Sequence, residues 1–229
     1  MSNAKDRLRH LVDLAGRNTP DDRQRLVREL SELLLEWPAD YPLPMRAHFD
    51  RLLEKAAQDV DRQTRATLAE RFAAQPDAPV GLLNELFFDA PEAVKGAILR
   101  RNALAIDDAP PDKAANRVDE GALIAAARKS CHEELAAQFA RTLGVDGVLA
   151  RRILHEPSGE ALAAACKGVH LKRATFSTLA LLFAPADGRQ NEERLGAYDG
   201  VPQQGAENLI RFWRAHAPAA EHGTDTKAA

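Results

Sequence analysis

The sequence predicts an all-α fold in which short helix pairs follow one another in tandem behind an N-terminal helical extension. Ala, Leu, Arg and Glu dominate the 229 residues, and aromatic residues make up only 5%. Unbranched side chains lose little rotamer freedom in a helix, whereas a β-sandwich depends on β-branched and aromatic residues. The second observation is an apolar pattern that repeats from Leu68 onwards.

The N-terminal extension, residues 1–60, is predicted to consist of amphipathic helices that show no repeat. A first helix runs from about residue 4 to residue 15. The next begins after Thr19, a good N-cap, with Pro20 at the first helical position, where no N–H is needed. A third starts near Pro44. Each has one apolar side, so we expect neighbouring helices to pack antiparallel.

The repeat pattern pairs apolar positions that lie 14 residues apart. These pairs are Leu68 with Leu82, Leu135 with Leu149, and Leu162 with Phe176. A fourth copy begins at Ile98 and carries 11 extra residues, which places the starts at 68, 98, 135 and 162. One helix pair cannot bury its apolar face alone, so the pairs are expected to stack. The alternative is coincidence, because Leu and Ala are common in this chain.

We predict that residues 61–216 form the repeat region, ending in a capping helix that carries Trp213. Residues 217–229 are predicted to be a disordered tail. The insertion near residues 103–118 contains Asp107, Asp108, Pro110 and Pro111. It is either a contact loop or a tolerated insertion.

Charge and apolar content narrow the class of protein. The net charge of −3 argues against a bulk nucleic-acid binder, since counterion release needs clustered Lys and Arg. No stretch of about 18 apolar residues occurs, and the N-terminus lacks the apolar core of a signal peptide. We therefore expect a cytoplasmic protein with no membrane segment. Cys131 and Cys166 suit that reducing compartment better as thiols than as a disulfide.

The cluster that most resembles a metal site is Cys131, His132, Glu133 and Glu134. A metal site needs several ligands at characteristic sequence spacings that converge on one point, and no second Cys or His at such a spacing completes this one. A helix start, with the two carboxylates near the positive end of the helix dipole, is the preferred interpretation. Cys166 occupies the repeat position of Phe72 and Phe139, so it is predicted to be a small core residue. We predict no catalytic residue, metal or cofactor.

Basic pairs recur roughly once per repeat and form a candidate interaction surface. Its members are Arg100, Arg101, Arg128, Arg151, Arg152, Lys172 and Arg173. Stacked repeats would align some of them as a stripe able to bind nucleic acid, and some helical-repeat proteins of that kind are DNA glycosylases. The repeat region contains no Trp or Tyr before Tyr198 to hold a damaged base. Solvated helix faces are the preferred interpretation of these pairs.

Three stretches resemble a known family: residues 65–72 (RATLAERF) followed by 76–79 (PDAP), residues 159–166 (GEALAAAC), and residues 212–214 (FWR). They are similar to an uncharacterised alphaproteobacterial family of unknown function with HEAT-like helical repeats. The resemblance covers roughly residues 11–214 and rests on packing motifs. It implies a cytoplasmic bacterial protein with a right-handed α-solenoid-like (HEAT-like) stack, and it brings no catalytic residues.

The functional prediction is a non-enzymatic protein–protein interaction module or scaffold, because stacked helix pairs expose a large surface. The partner is expected to be another protein. A nucleic-acid-binding helical repeat protein is the alternative, and an enzyme would need a pocket with converging ionisable groups.

Overall fold

A computed structural model describes residues 2–17, 19–37, 43–105, 120–129, 132–183 and 188–216. All regular secondary structure in these ranges is helical, which confirms the all-α prediction. The helices are α1 (Ser2–Gly16), α2 (Pro20–Leu35), α3 (Leu43–Ala57), α4 (Arg62–Ala73), α5 (Val80–Glu85), α6 (Glu92–Leu104), α7 (Glu120–Arg128), α8 (His132–Leu143), α9 (Gly147–Leu154), α10 (Glu160–Gly168), α11 (Arg173–Leu182), α12 (Gly188–Gly200) and α13 (Gln203–His216).

The helices group into two compact units, Met1–Ile98 (unit 1) and Leu99–Ala229 (unit 2). The sequence-based boundary between residues 60 and 61 concerns where the repeat pattern starts, and it stays a prediction. Most of the 103–118 insertion and all of the 217–229 tail lie outside the described residues.

Unit 1 begins with the helix start that the sequence predicts. Thr19 is extended, and its hydroxyl accepts a hydrogen bond from the Asp22 backbone N–H at 3.2 Å, with Pro20 as the first helical residue. Helices α1 and α3 pack against α2, and α5 packs against α3. Their contact is apolar: Leu14, Leu30 and Leu53 are all buried.

Arg65 of α4 holds two other helix ends of unit 1 in place. Its guanidinium donates to the final carbonyls of α3, at Ala57 (3.3 Å), and of α5, at Glu85 (3.0 Å). Its Nε lies 2.7 Å from the Asp89 carboxylate. The last four carbonyls of a helix have no partner within that helix, so this side chain supplies bonds that the two helices cannot make themselves.

Unit 2 is built around α10. Helices α9, α11, α12 and α13 all contact it. Ala161, Leu162, Ala163, Ala164, Ala165 and Cys166 are all fully buried. A helix that is apolar on every side is a core helix, because no face of it suits water. The prediction that Cys166 is a small core residue is confirmed.

The tandem helix pairs of the sequence pattern correspond to α4 with α5, α8 with α9, and α10 with α11. Of their six key apolar positions, five are buried and Leu149 is half-buried. The fourth copy corresponds to α6 and α7, and the residues between these helices are largely outside the described ranges. A solenoid arrangement of the pairs stays a prediction.

Because α13 packs closely within unit 2, we expect a glycine-to-alanine substitution that normally stabilises a helix to destabilise the protein here. Gly205 lies inside α13, where Ala normally stabilises a helix by about 1 kcal/mol. A Cβ at this position would overlap the Leu99 carbonyl oxygen. We expect G205A to lower the free energy of unfolding by about 1–3 kcal/mol, measured by urea denaturation.

The matched control is G196A, inside α12, where a Cβ would meet no atom within 4 Å. That variant should be more stable than the wild type, by up to about 1 kcal/mol. Equal stabilisation by both substitutions would contradict the close approach of α13 to Leu99.

Candidate interaction surface

Three of the four predicted basic pairs lie at or near the C-terminal ends of helices. Arg101 is in the last turn of α6, Arg128 is the last residue of α7, and Arg151 and Arg152 are in the last turn of α9. Cations there are stabilised by the helix dipole and by unpaired carbonyls. Their recurrence therefore has a structural cause that does not require a ligand.

The fourth basic pair is engaged by carboxylates of other helices. The Lys172 Nζ lies 3.3 Å from Glu120 of α7, and the Arg173 guanidinium lies 2.7 Å from Asp199 of α12. Of the seven residues of the predicted surface, these two are thus neutralised. The alignment of all seven as one stripe stays a prediction.

Glu120 does more than pair with Lys172, because its carboxylate caps the start of α11. It accepts hydrogen bonds from the Thr175 hydroxyl at 2.5 Å and from the Lys172 backbone N–H at 3.0 Å. The hydrogen bond from Thr175 is the main cause that lowers the pKa of Glu120 below its ordinary value, with help from Lys172. The charged carboxylate is therefore favoured in the folded chain.

A different surface of unit 2 combines exposed apolar, aromatic and cationic side chains. Phe183 follows α11, and its ring contacts two histidine rings: the centroid of His132 is 5.1 Å away and that of His155 is 5.0 Å away. His155 follows α9 and is seven residues from Val148, so both lie on one face of that helix. The Phe183 surface, as we name it, comprises His132, Val148, Arg151, His155, Leu182 and Phe183.

Exposed apolar side chains belong to this surface. Among the described residues of unit 2, the exposed large apolar side chains are Val148 (70%), Leu181 (55%), Leu182 (37%) and Leu104 (79%). Val148 and Leu182 are members of the Phe183 surface, and Leu181 precedes Leu182 in the chain. Grouped apolar exposure marks an interaction site more often than scattered single residues do.

The most deeply buried charged side chain, Arg194 of α12, has a structural role. Its guanidinium donates to the final carbonyl of α9, at Leu154 (2.9 Å). It also donates to the backbone carbonyls of Glu156 (2.7 Å) and Pro157 (3.2 Å), which follow α9. Burial lowers the pKa of Arg194, while the Glu156 carboxylate acts in the opposite direction. The Glu156 carboxylate in turn accepts from the Ser158 N–H and hydroxyl ahead of α10.

The remaining candidate residues from the sequence are either in ordinary helical positions or outside the described residues. His132 is the first residue of α8, with Glu133 and Glu134 in its first turn, as the helix-start interpretation predicts. Cys131, Asp107 and Asp108 lie outside the described residues. Within the described ranges, no three His, Cys, Asp or Glu side chains are grouped so as to hold a metal ion. Burial raises the pKa of the Cys166 thiol well above its ordinary value.

The chain is similar to a known bacterial family. Residues 109–211 match the model of a family described as "Uncharacterised protein conserved in bacteria (DUF2336)". The matched region is slightly less than half of the chain and includes the Phe183 surface, α10 and Arg194. No curated protein and no solved structure matches the chain. The resemblance to a family of unknown function is thus supported, while its alphaproteobacterial origin and HEAT-like repeats stay predictions.

Among the helices of the described residues, none has both the length and the apolar composition needed to cross a membrane.

The contacts of Arg194 predict a large loss of stability when its guanidinium is removed. The substitution R194M keeps an apolar stem but leaves the carbonyls of Leu154 and Glu156 buried without a donor. We expect the free energy of unfolding to fall by about 3 kcal/mol or more, measured by urea denaturation. The exposed, ion-paired Arg173 is the matched control, and R173M should cost less than about 1 kcal/mol. Equal effects of the two substitutions would contradict the assigned role of Arg194.

The depressed pKa of Glu120 predicts a pH-dependent contribution to stability. A carboxyl whose pKa is lower in the folded state stabilises the fold above its unfolded pKa of about 4.3, and loses that effect as pH falls through the folded pKa. We therefore expect E120Q to be less stable than the wild type at pH 7, with the difference shrinking as pH falls below about 4.3. Denaturation curves at several pH values test this. A pH-independent difference would contradict it.

Proposed function

We propose that the protein is a non-enzymatic protein–protein interaction module and that the Phe183 surface is where its partner binds. The observation that carries this proposal is the contact of Phe183 with two exposed histidines, directly after the exposed Leu181 and Leu182. The Phe183 ring meets that of His132 at a tilt and that of His155 edge-on, and Val148 is exposed on α9, the helix that His155 follows. Aromatic residues and Arg are enriched at the cores of protein interfaces.

The charged side chains of this surface indicate the kind of partner. Arg151 is exposed and lies on α9 between Val148 and His155. Arg151 follows Val148 by three residues, so the two side chains are neighbours on the helix surface. A partner segment with alternating apolar and acidic side chains would cover Val148 and Leu182 while a carboxylate of that segment meets Arg151.

Three charged side chains that join helices of unit 2 have a structural role. Glu120 caps α11, Glu156 precedes α10, and Arg194 holds the end of α9. Groups engaged in this way are needed for the fold and are poor candidates for proton transfer. This is why we favour binding over catalysis, and stacked helix pairs with HEAT-like geometry would present such a binding surface.

Site-specific photocrosslinking tests the proposal. The full chain would carry a benzophenone amino acid at Val148, and at Leu104 as the matched control, because both side chains are strongly exposed in unit 2. After irradiation in a lysate of the source organism, we expect a discrete protein adduct from position 148 and none from position 104. Adding R151E should lower the yield of the adduct, since it places a like charge opposite the acidic partner.

Two results would contradict the proposal. One is an identical adduct pattern from positions 148 and 104, which would indicate random collision. The other is an adduct from position 148 that disappears on nuclease treatment, which would favour the alternative of a nucleic-acid-binding protein. The cytoplasmic location expected from the sequence stays a prediction.

A further inference from the structure

Unit 1 contains a groove of about 570 Å³ between α2 and α4. Small-molecule sites have volumes of about 300–1,000 Å³, so the groove is large enough for a ligand. Val27 and Leu68 lie at its base, and both are buried. The groove therefore offers an apolar base within a polar rim.

The polar walls follow from the helical spacing of the side chains. On α4, Gln63, Thr67 and Arg71 are four residues apart and lie on one face. On α2, Gln24 and Arg28 are likewise four residues apart and line the opposite wall. Two polar faces cannot exclude water from each other as two apolar faces do, which is why these helices leave space between them.

Cationic side chains lie on both walls of the groove. Three arginines line it, together with the carboxylate of Asp21 in the first turn of α2, and the Asp61 carboxylate lies next to it, where it accepts from Gln24. Arg25 is neutralised by Glu29, whose carboxylate lies 3.0 Å from the Arg25 Nε. Arg28 and Arg71 are exposed and, within the described part of the chain, neither is engaged in an ion pair or a hydrogen bond. One guanidinium on each wall is thus available to a ligand.

The remaining polar groups of the walls restrict the ligand further. The Thr67 hydroxyl donates to the backbone carbonyl of Gln63 at 3.0 Å, and the Gln24 amide donates to Asp61 at 2.7 Å. The Thr67 hydroxyl and one N–H of the Gln24 amide are therefore engaged within the fold, whereas the guanidinium groups of Arg28 and Arg71 are not. Guanidinium forks bind planar or tetrahedral oxyanions with paired hydrogen bonds.

We propose that this groove binds a small organic phosphate. Its dianionic group lies between Arg28 and Arg71, and its apolar part covers Val27 and Leu68. Two cations on opposite walls match a phosphate monoester, which carries close to two negative charges at pH 7. A carboxylate, with one charge, satisfies only half of this arrangement.

Calorimetric titration of the full chain with phenyl phosphate tests the proposal. We expect phenyl phosphate to bind with a Kd below about 1 mM. Inorganic phosphate lacks the apolar part and benzoate lacks the second charge, so both should bind more weakly. R28Q and R71Q should each weaken phenyl phosphate binding by about tenfold or more, because each removes a charge-assisted contact.

The matched control is R51Q. Arg51 is an exposed arginine of α3 in the same unit, its guanidinium donates to the carbonyl of Ala47 in its own helix, and it does not line the groove. Binding by R51Q should equal that of the wild type. The proposal is overturned if phenyl phosphate gives no binding at about 10 mM, ten times the Kd limit above. It is also overturned if all three variants bind equally, or if benzoate binds as tightly as phenyl phosphate.

Discussion

The structure depends on how the ends of short helices are satisfied. Its described helices have between six and sixteen residues, so unpaired terminal carbonyls and N–H groups form a large share of each one. Arginines from other helices bind the final carbonyls of four of them. Arg65 serves α3 and α5, Arg194 serves α9, and Arg214 serves α8 through a 2.7 Å bond to Leu143. Each such bond joins a helix end to a neighbour, so the same contact that completes a helix also positions it.

The central helix of unit 2, α10, packs closely against α13. Five of its residues between Ala161 and Cys166 are Ala or Cys, and their small side chains allow α13 to approach closely. At Gly168, even a Cβ would lie 2.5 Å from Ile210 and 2.7 Å from the Ala206 carbonyl. Residues 161–166 of α10 offer no polar group for orientation. Its polar contacts lie at its two ends: the Glu156 carboxylate ahead of it accepts from the Ala161 N–H at 3.4 Å, and the Lys167 ammonium in its last turn donates to the Val201 carbonyl at 2.6 Å.

The sequence predicted features that depend on residues close together in the chain, but it did not predict contacts between distant residues. Thr19 followed by Pro20 predicts a helix start because the cap lies within three residues of its donor. The 14-residue step predicts the helix pairs, and the shared register of Phe72, Phe139 and Cys166 predicts a core position. Arg194 carries no such signal, since its acceptors are about 40 residues away along the chain. Val148 lies outside the repeat pattern, which uses its neighbour Leu149, so the sequence carries no signal for its place on the Phe183 surface.

Hydrogen exchange of the wild type and R194M, followed residue by residue, tests most directly whether distant arginines hold the helix ends. The amides of the last turn of α9 and of α10 should lose protection together in R194M, because the carbonyls and the connection between these helices are released as one unit. The amides of α8, whose end is held by Arg214, should exchange at a rate closer to that of the wild type. A loss of protection confined to α12, or no loss at all, would contradict the account.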